Sequence, residues 1–185
     1  MDFAKEVSAK SVFDGFSGTG IVSANLRNSG FKVFANDLNE SSFLYGKVFL
    51  EGYDKKIVDH HLNKINSLPL KAGWVSENYA GTVVRKVKNV SEPQERPLGL
   101  LLKNALKIDA ARDYIQELSS VTEQNKNALI FSVILGCDSV FNNSNDQKSS
   151  FKEWSKKSKK DVVFSAPTLI NGIVGAQYKG DIFSL

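Results

Sequence analysis

The sequence predicts an α/β fold with a parallel sheet, because two apolar runs, a glycine-rich turn and a carboxylate follow one another near its start. The first run, residues 11–13, enters the turn, residues 14–20, which reads Asp-Gly-Phe-Ser-Gly-Thr-Gly. A helix-like stretch, residues 21–28, leads to the second run, residues 31–35, and Asp37 follows seventeen residues after the turn. This is the βαβ layout in which a nucleotide-like ligand lies over the carboxyl ends of two parallel strands.

The later elements are predicted from the spacing of apolar residues. A second helix covers residues 40–51, and Asn39 is its expected N-cap. A helix that starts near Pro97 continues to Leu118 with apolar side chains three and four residues apart. Residues 128–141 are apolar on nearly every side, which is typical of a buried helix.

The order of these elements divides the chain into three parts. Residues 1–60 form the ligand-binding βαβ part, and residues 61–160 form a linker and a mostly helical insertion. Residues 161–185 are expected to return to the sheet, starting with the apolar residues 162–164 and ending near Gly180 and Asp181.

Two classes of ligand use such a βαβ unit, and Asp14 helps to choose between them. A dinucleotide places its pyrophosphate on the helix N-terminus and usually has the pattern G-x-G-x-x-G/A, in which Ser23 is a tolerable substitute at the third small position. The carboxylate of Asp14 would repel a pyrophosphate. S-adenosylmethionine has no phosphate, and its methionine end carries an ammonium and a sulfonium. The residues therefore favour S-adenosylmethionine, while a glycine turn that binds no ligand stays an alternative.

The same residues resemble a known family. Residues 14–20 resemble the D-x-F-x-G-x-G motif of S-adenosylmethionine-dependent DNA adenine N6-methyltransferases, and Asn36-Asp37 is similar to the acidic second motif of that family. The resemblance extends toward the branch with a D12-type methylase domain through residues 62–79 and 104–112. Gly180-Asp181-Ile182 looks like the third motif, whose Asp in the family meets the adenine amino group of the methyl donor.

The resemblance implies a Rossmann-like class I methyltransferase fold and transfer of a methyl group from S-adenosylmethionine to adenine N6 in double-stranded DNA, as in restriction-modification or orphan enzymes. Residues 1–60 would then be the cofactor-binding part, and residues 61–160 would contain the DNA-recognition insertion. The donor pocket implied by the matching motifs consists of Asp14, Phe16, Ser17, Gly18, Thr19, Gly20, Asp37, Asp181 and Ile182.

Two features depart from the family pattern. The family usually opens with a glycine-asparagine-lysine segment, whereas only ten residues precede the first run here. The catalytic motif Asp/Asn-Pro-Pro-Tyr/Phe is expected soon after the third motif, but none of the four prolines is adjacent to another. No catalytic residue is therefore assigned. The chain is expected to be the amino-terminal part of an enzyme, inactive alone, or one subunit that a second chain with the missing half completes.

Basic residues are concentrated in the insertion, in one group around Trp154 and another ahead of Pro93. Lysines neutralise phosphates, and an exposed aromatic can stack on a base. A solvated helix face is the alternative interpretation, and the family resemblance favours DNA. The predicted DNA contacts are Arg85, Lys86, Lys88, Trp154, Lys156, Lys157, Lys159 and Lys160.

The composition indicates a globular chain without a membrane span. Of the 185 residues 42% are apolar, yet no run of eighteen apolar residues occurs, and residues 1–10 lack the apolar region of a secretory signal. The single Cys137 cannot form an internal disulfide, which indicates a reducing cytoplasm, and its apolar surroundings indicate an inert thiol. His60 and His61 lack the companions of a metal site.

Three other functions stay open on the sequence. One is a dinucleotide-binding oxidoreductase fragment, and another is a non-catalytic DNA-binding remnant that binds DNA without the donor. The third is a methyltransferase that acts on RNA or on a small molecule, which the length of the insertion disfavours.

Overall fold

The structure, a computed structural model, describes residues 8–81, 99–143 and 154–184, and it divides into two compact units. Among the described residues, the first unit consists of residues 8–58, 120–131 and 166–184. The second unit consists of residues 59–81, 99–119, 132–143 and 154–165. These units are defined by compactness, so the three functional parts expected from the sequence stay a prediction.

The first unit is built on a three-stranded parallel sheet with the strand order β1–β2–β5. Strand β1 is Ser11–Asp14, β2 is Lys32–Asn36 and β5 is Ala176–Tyr178. Asp14 pairs in register with Ala35, and Asn36 pairs with Tyr178. The carboxyl ends of all three strands therefore meet at one edge of the sheet. The predicted α/β class with a parallel sheet is confirmed for the described residues.

The middle strand forms the centre of the core. Val33 and Ala35 of β2 are fully buried, and they cluster with Phe31 and Leu50. Between β1 and β2 runs helix α1, Ile21–Asn28, as the apolar pattern predicted. A short crossover helix between two parallel strands is the βαβ unit expected from the sequence.

The helix predicted over residues 40–51 is present, but it has two geometries. Residues Glu40–Gly46 form α-helix α2, and residues Lys47–Glu51 continue it as one π-helical turn. Asn39 is the N-cap, as predicted, because its side-chain oxygen accepts hydrogen bonds from the backbone N–H groups of Ser41 and Ser42. The side chain thereby satisfies two of the N–H groups that a helix start leaves without partners.

The end of the π-helical turn is held by a buried arginine and by the loop before β5. The guanidinium of Arg27 donates to the carbonyl of Phe49 at 2.5 Å, and Gly175 N–H donates to the carbonyl of Leu50 at 3.0 Å. Arg27 is only 6% exposed, and this burial lowers the pKa of its guanidinium. The carbonyl of Phe49 near the end of the π-helical turn and the carbonyl of Gly172, 3.4 Å from the other guanidinium nitrogen, therefore solvate this charge. The first is favourable because helix C-termini are electronegative.

The second unit is mainly helical. Its elements include a parallel pair of two-residue strands, β3 (Ala80–Gly81) and β4 (Leu100–Leu101). The remaining α-helices among the described residues are α3 (Lys55–Ser67), α4 (Trp74–Tyr79), α5 (Leu102–Glu117) and α6 (Glu123–Val140). Both α3 and α6 have residues in each of the two units.

A buried carboxylate fixes the start of α4. Asp109 of α5 is 3% exposed, and its two oxygens accept hydrogen bonds from the backbone N–H groups of Val75 at 2.9 Å and Ser76 at 2.7 Å. Helix α4 is too short to be stable alone. Its orientation against α5 therefore depends on a capping side chain that comes from another helix.

Two sequence predictions for the part of the chain after residue 60 are wrong. The helix expected to start near Pro97 begins at Leu102, because Leu100 and Leu101 pair with β3 instead. The apolar residues 162–164 do not form a strand. Their backbone is held by asparagine side chains: Val162 N–H donates to Asn104 at 3.0 Å, and Phe164 N–H donates to Asn66 at 3.0 Å. Apolar side chains are buried here without a sheet ladder.

Candidate functional site

The glycine turn after β1 is folded by two left-handed glycines. Gly18 has φ +51° and Gly20 has φ +73°, and both conformations are unfavourable for residues with a Cβ. The N–H of Gly20 donates to the carbonyl of Ser17 at 2.8 Å, and the N–H of Ala24 donates to the carbonyl of Gly20 at 2.8 Å. The turn therefore leads directly into α1, and its backbone is open to a ligand because no side chain covers Gly18.

Asp37 lies against this turn. Its Oδ2 accepts the N–H of Gly18 at 2.8 Å, and its Oδ1 accepts the N–H of Asn39 at 2.9 Å. A carboxylate has about four acceptor positions, so these two bonds fix its orientation and leave positions for further donors. The sequence predicted that Asp37 would meet ribose hydroxyls at the end of β2. The structure places Asp37 directly after β2, next to the glycines.

Asp14 is held by the small residue of the glycine pattern. The hydroxyl of Ser23, which is fully buried on α1, donates to Asp14 Oδ2 at 2.6 Å. Asp14 is half-buried at the end of β1, and its other oxygen is not engaged with any described residue. Ser23 is a position that sequence reasoning treated only as a tolerable substitute for glycine. It is the residue that orients the carboxylate.

The third motif closes the other side of the site. Asp181 is exposed, and its Oδ1 accepts the N–H of Phe183 at 3.1 Å in a short 3₁₀ turn, Ile182–Ser184. The side chain of Ile182 packs on Gly15, where a Cβ would lie only 2.7 Å from Ile182 Cδ1. Gly15 therefore allows the turns after β1 and β5 to touch, and the predicted residues Asp181 and Ile182 lie beside the glycine turn.

Exposed apolar side chains follow each strand at this edge. Phe16 after β1 is 77% exposed, Leu38 after β2 is 68% exposed, and Phe183 after β5 is 92% exposed. Phe16 is therefore not part of the core of the described residues. Leu38 and Phe183 were missed from the sequence. Their signal was their position, because each lies one or two residues after a carboxylate of the site, and exposed apolar groups beside polar ones are typical of ligand sites.

Two predicted residues of the turn have different environments. Thr19 is exposed. The side chain of Ser17 is 6% exposed, and its oxygen accepts a hydrogen bond from Gln177 Nε2 at 3.3 Å. The N–H of Ser17 donates to the carbonyl of Asn36 at 3.0 Å. Ser17 thus shapes the turn from inside, which differs from the direct contact with a donor that the motif implied.

The lysines near Trp154 lie in one turn, residues 155–160, that buried asparagines hold in place. The side chain of Asn104 donates to the carbonyl of Lys160 at 2.8 Å, and the N–H of Ser155 donates to Asn142 at 3.0 Å. Both asparagines are at most 7% exposed. The backbone of this turn, called the lysine turn below, is therefore held by buried side chains and is not helical. The alternative interpretation, a solvated helix face, does not describe these lysines.

The predicted basic residues differ in how freely they can meet a phosphate. Lys156, Lys159 and Lys160 are exposed, whereas Lys157 is half-buried and its Nζ lies 3.5 Å from Asn143 Oδ1. Trp154 is half-buried. The other predicted contacts, Arg85, Lys86 and Lys88, lie outside the described residues.

Other candidate groups show no sign of chemistry. Burial raises the pKa of the Cys137 thiol, which keeps it in the unreactive protonated form. Within residues 8–81, 99–143 and 154–184, no three His, Cys, Asp or Glu side chains come together as metal ligands. None of the helices in these ranges is both long and apolar enough to span a bilayer.

Comparison with known proteins agrees with the motifs. The chain matches the family described as D12 class N6 adenine-specific DNA methyltransferase over residues 2–182, nearly its whole length. The resemblance read from residues 14–20, Asn36-Asp37 and the third motif is thereby confirmed at the level of the family. No curated protein and no solved structure matches the chain.

Proposed function

Because the chain belongs to the D12 class N6 adenine-specific DNA methyltransferase family, we propose that its first unit binds S-adenosylmethionine and its second unit binds DNA. The observation that carries the proposal is the hydrogen bond from Gly18 N–H to Asp37, which joins an open glycine turn to an oriented carboxylate. The reaction would transfer the donor's methyl group to adenine N6, with loss of a proton from the amine.

The residues of the site fit this donor. Asp37 has acceptor positions left for ribose hydroxyls, and Asp14 offers a carboxylate to the ammonium of the methionine end. Leu38 and Phe183 supply exposed apolar surface beside Asp37 and Asp181, suited to a flat adenine base. The role proposed for these residues is to bind and orient the donor.

A dinucleotide fits the same edge less well. Residues 14–20 contain no lysine or arginine, and Ser23 fixes a carboxylate at the end of β1, close to where a pyrophosphate would approach. Negative charge there disfavours phosphate, although the N-terminus of α1 favours it. The oriented Asp14 is the reason for preferring S-adenosylmethionine.

Calorimetric titration tests the donor assignment. We expect the chain to bind S-adenosylhomocysteine, the demethylated product, and not NAD. Asp37→Ala should weaken this binding about ten- to hundred-fold, the range for one or two charge-assisted hydrogen bonds. Asp138→Ala, which removes an exposed carboxylate on α6, is the matched control and should bind normally. Binding of NAD alone, or equal binding by wild type and Asp37→Ala, would overturn the assignment.

The lysine turn carries the DNA half of the proposal. Lys156, Lys159 and Lys160 have exposed side chains, and no carboxylate in the described part of the chain forms an ion pair with them. Phosphates of a duplex are the partners that such free ammonium groups suit, because their neutralisation releases condensed counterions. Trp154 adds an aromatic side chain next to the turn.

A further inference from the structure

Asn36, the last residue of the middle strand, lies between the two turns that form the candidate donor site. Its side chain is 2% exposed. The amide nitrogen Nδ2 is 2.9 Å from the carbonyl oxygen of Gly180 and 3.4 Å from that of Gly15. Gly15 belongs to the turn after β1, and Gly180 belongs to the turn after β5. One amide group therefore donates to both sides of the site.

The backbone of Asn36 adds a further bond to the same network. Its carbonyl accepts the N–H of Ser17 at 3.0 Å, inside the glycine turn. Next along the chain, the N–H of Asp37 donates to the carbonyl of Tyr178 at 3.3 Å. The glycine turn, the ribose carboxylate and the third motif are thus connected through two consecutive residues at the end of β2.

The chemistry requires an amide at position 36. Two carbonyl oxygens face the side chain, so it must supply two N–H donors, which asparagine does and serine does not. A carboxylate would place oxygens against both carbonyls, and an apolar side chain would leave them buried without donors. Asparagine Oδ1 has no hydrogen-bond partner among the described residues, so the donating end is the one that the site uses.

We propose that Asn36 is a positioning residue of the donor site, which couples the glycine turn to the Gly180–Asp181 turn so that both halves of the pocket form together. The inference rests on the proposed function for its ligand, but the coupling itself is a property of the free protein. Asn36 does not touch the donor. Without the Asn36 amide, the hydrogen bonds that join the glycine turn, with Gly18, to the Gly180–Asp181 turn are lost.

Two substitutions of Asn36 separate a donating role from a packing role. Asn36→Asp keeps the size of the side chain and removes its donors, whereas Asn36→Ser is smaller and keeps one donor. We expect S-adenosylhomocysteine affinity at pH 8 to fall about ten-fold in Asn36→Ser, the order of one buried hydrogen bond, and further in Asn36→Asp. Asn171→Ser, an exposed change in the same unit, is the matched control. Near-normal binding by Asn36→Asp would show that the residue only fills space.

A second measurement does not depend on the ligand. In the NMR spectrum of the free chain, Gly18→Ala should shift the amide signals of Gly180 and Asp181, and the same substitution in an Asn36→Ser background should not. In the wild-type chain, the Asn36 side-chain amide protons should exchange with water more slowly than those of Asn171. Fast exchange at Asn36, or equal shifts in both backgrounds, would overturn the coupling. Failure of wild type to bind S-adenosylhomocysteine, with the coupling intact, would instead overturn the proposed function.

Discussion

At Gly18, the structure shows why the motif needs a glycine. A glycine can be needed for space or for its backbone conformation. An added Cβ at Gly18 meets no atom of the described residues within 4 Å, so packing within the protein does not require glycine here, whereas the backbone conformation at φ +51° does. The glycine is needed because this left-handed residue points its N–H at Asp37.

Replacing Gly18 by Val should therefore act through the backbone. We expect the unfolding free energy to fall by about 1–2 kcal/mol, the cost of the left-handed region for a residue with a Cβ, and S-adenosylhomocysteine binding to weaken as the turn rearranges. Gly30→Val is a matched control, because Gly30 has φ +94° and also open space around it. It should lose similar stability in urea unfolding without loss of affinity. Equal affinity in both variants would contradict this role of Gly18.

His61 gives the second unit a dependence on pH. Its Nδ1 lies 2.8 Å from the Tyr114 hydroxyl, and burial, together with the nearby His60 and Lys64, lowers the pKa of His61 below its ordinary value of 6.5. The folded state thus disfavours the protonated ring. The unfolded chain binds more protons below pH 6.5, so this contribution to stability is present above that pH and is lost as the pH falls.

Urea unfolding at pH 7.5 and 5.5 measures this effect. We expect wild type to be less stable at pH 5.5 and His61→Gln to lose much of that difference, since the chain contains only two histidines. His60→Gln should keep most of it, because burial is the larger cause of the pKa shift. The same loss of stability in wild type and His61→Gln would show that other groups are responsible.

Local signals predicted the elements around the donor site closely. Residues 21–28 were expected to be helical and form α1, and Asn39 caps α2 as its residue type suggests. These elements depend on glycine conformations, side-chain caps and the spacing of apolar residues. All three are determined by residues that are close in the sequence. The failures are non-local. Residues 162–164 have the composition of a strand, but Asn66 and Asn104, far away in the sequence, take their backbone hydrogen bonds.

The lysine turn has the same non-local origin. Its sequence left a solvated helix face open as the alternative to DNA contact, because nothing near residues 155–160 shows that Asn104 and Asn142 bind their backbone. Asn104 and Asn142 hold the backbone of this turn, and its exposed lysines are the groups proposed to contact phosphates. The half-buried Lys157 was predicted to act equally with its neighbours, and its contact with Asn143 makes it the weakest of the four candidates.

Salt dependence tests the lysine turn as a unit. Replacing Lys156, Lys159 and Lys160 by Ala should lower the slope of log affinity for duplex DNA against log salt, by about 0.9 for each lysine that meets a phosphate. Adding Lys157→Ala should change the slope little. A control that removes the same charge from exposed positions, Lys10, Lys56 and Lys64, should keep the slope closer to wild type. If both triple variants lose the same slope, the effect is general charge and the turn is not a DNA contact.

At the scale of the whole molecule, one local motif predicted the class of fold and the family. Asp14, the glycines and Asp37 are close in sequence, so their order already contains the βαβ unit and the edge at which the ligand lies. The motif does not predict how the residues after it are divided between the two compact units. Residues 120–131 pack in the first unit, where Phe131 lies 4.8 Å from the ring of Tyr45 and 5.4 Å from that of Phe49. Such aromatic contacts between distant segments have no periodic signal in the sequence.

The carboxylates of the candidate site and the absence of adjacent prolines together lead to a prediction about catalysis. Asp14, Asp37 and Asp181 are the carboxylates proposed to bind and orient a methyl donor, but the 185 residues contain no two adjacent prolines and so no Asp/Asn-Pro-Pro-Tyr/Phe motif. The resemblance to the family implies that such a motif would hold the amine of an adenine that has left the duplex. Interactions that are present only in the transition state raise kcat, whereas donor and duplex binding alone do not.

We therefore expect the purified 185-residue chain to bind S-adenosylhomocysteine and DNA and to transfer no labelled methyl group to DNA. The defect should appear as an absent kcat that saturating donor and duplex do not restore, because the missing groups act on the reacting amine. Co-expression with a segment that carries the Pro-Pro motif should restore transfer, and Asp37→Ala should then abolish it again, which ties the recovered activity to this site. Clear turnover by the chain alone would mean that other side chains hold the adenine amine, and Asp14 and Asp181 would be the first carboxylates to replace in the search for them.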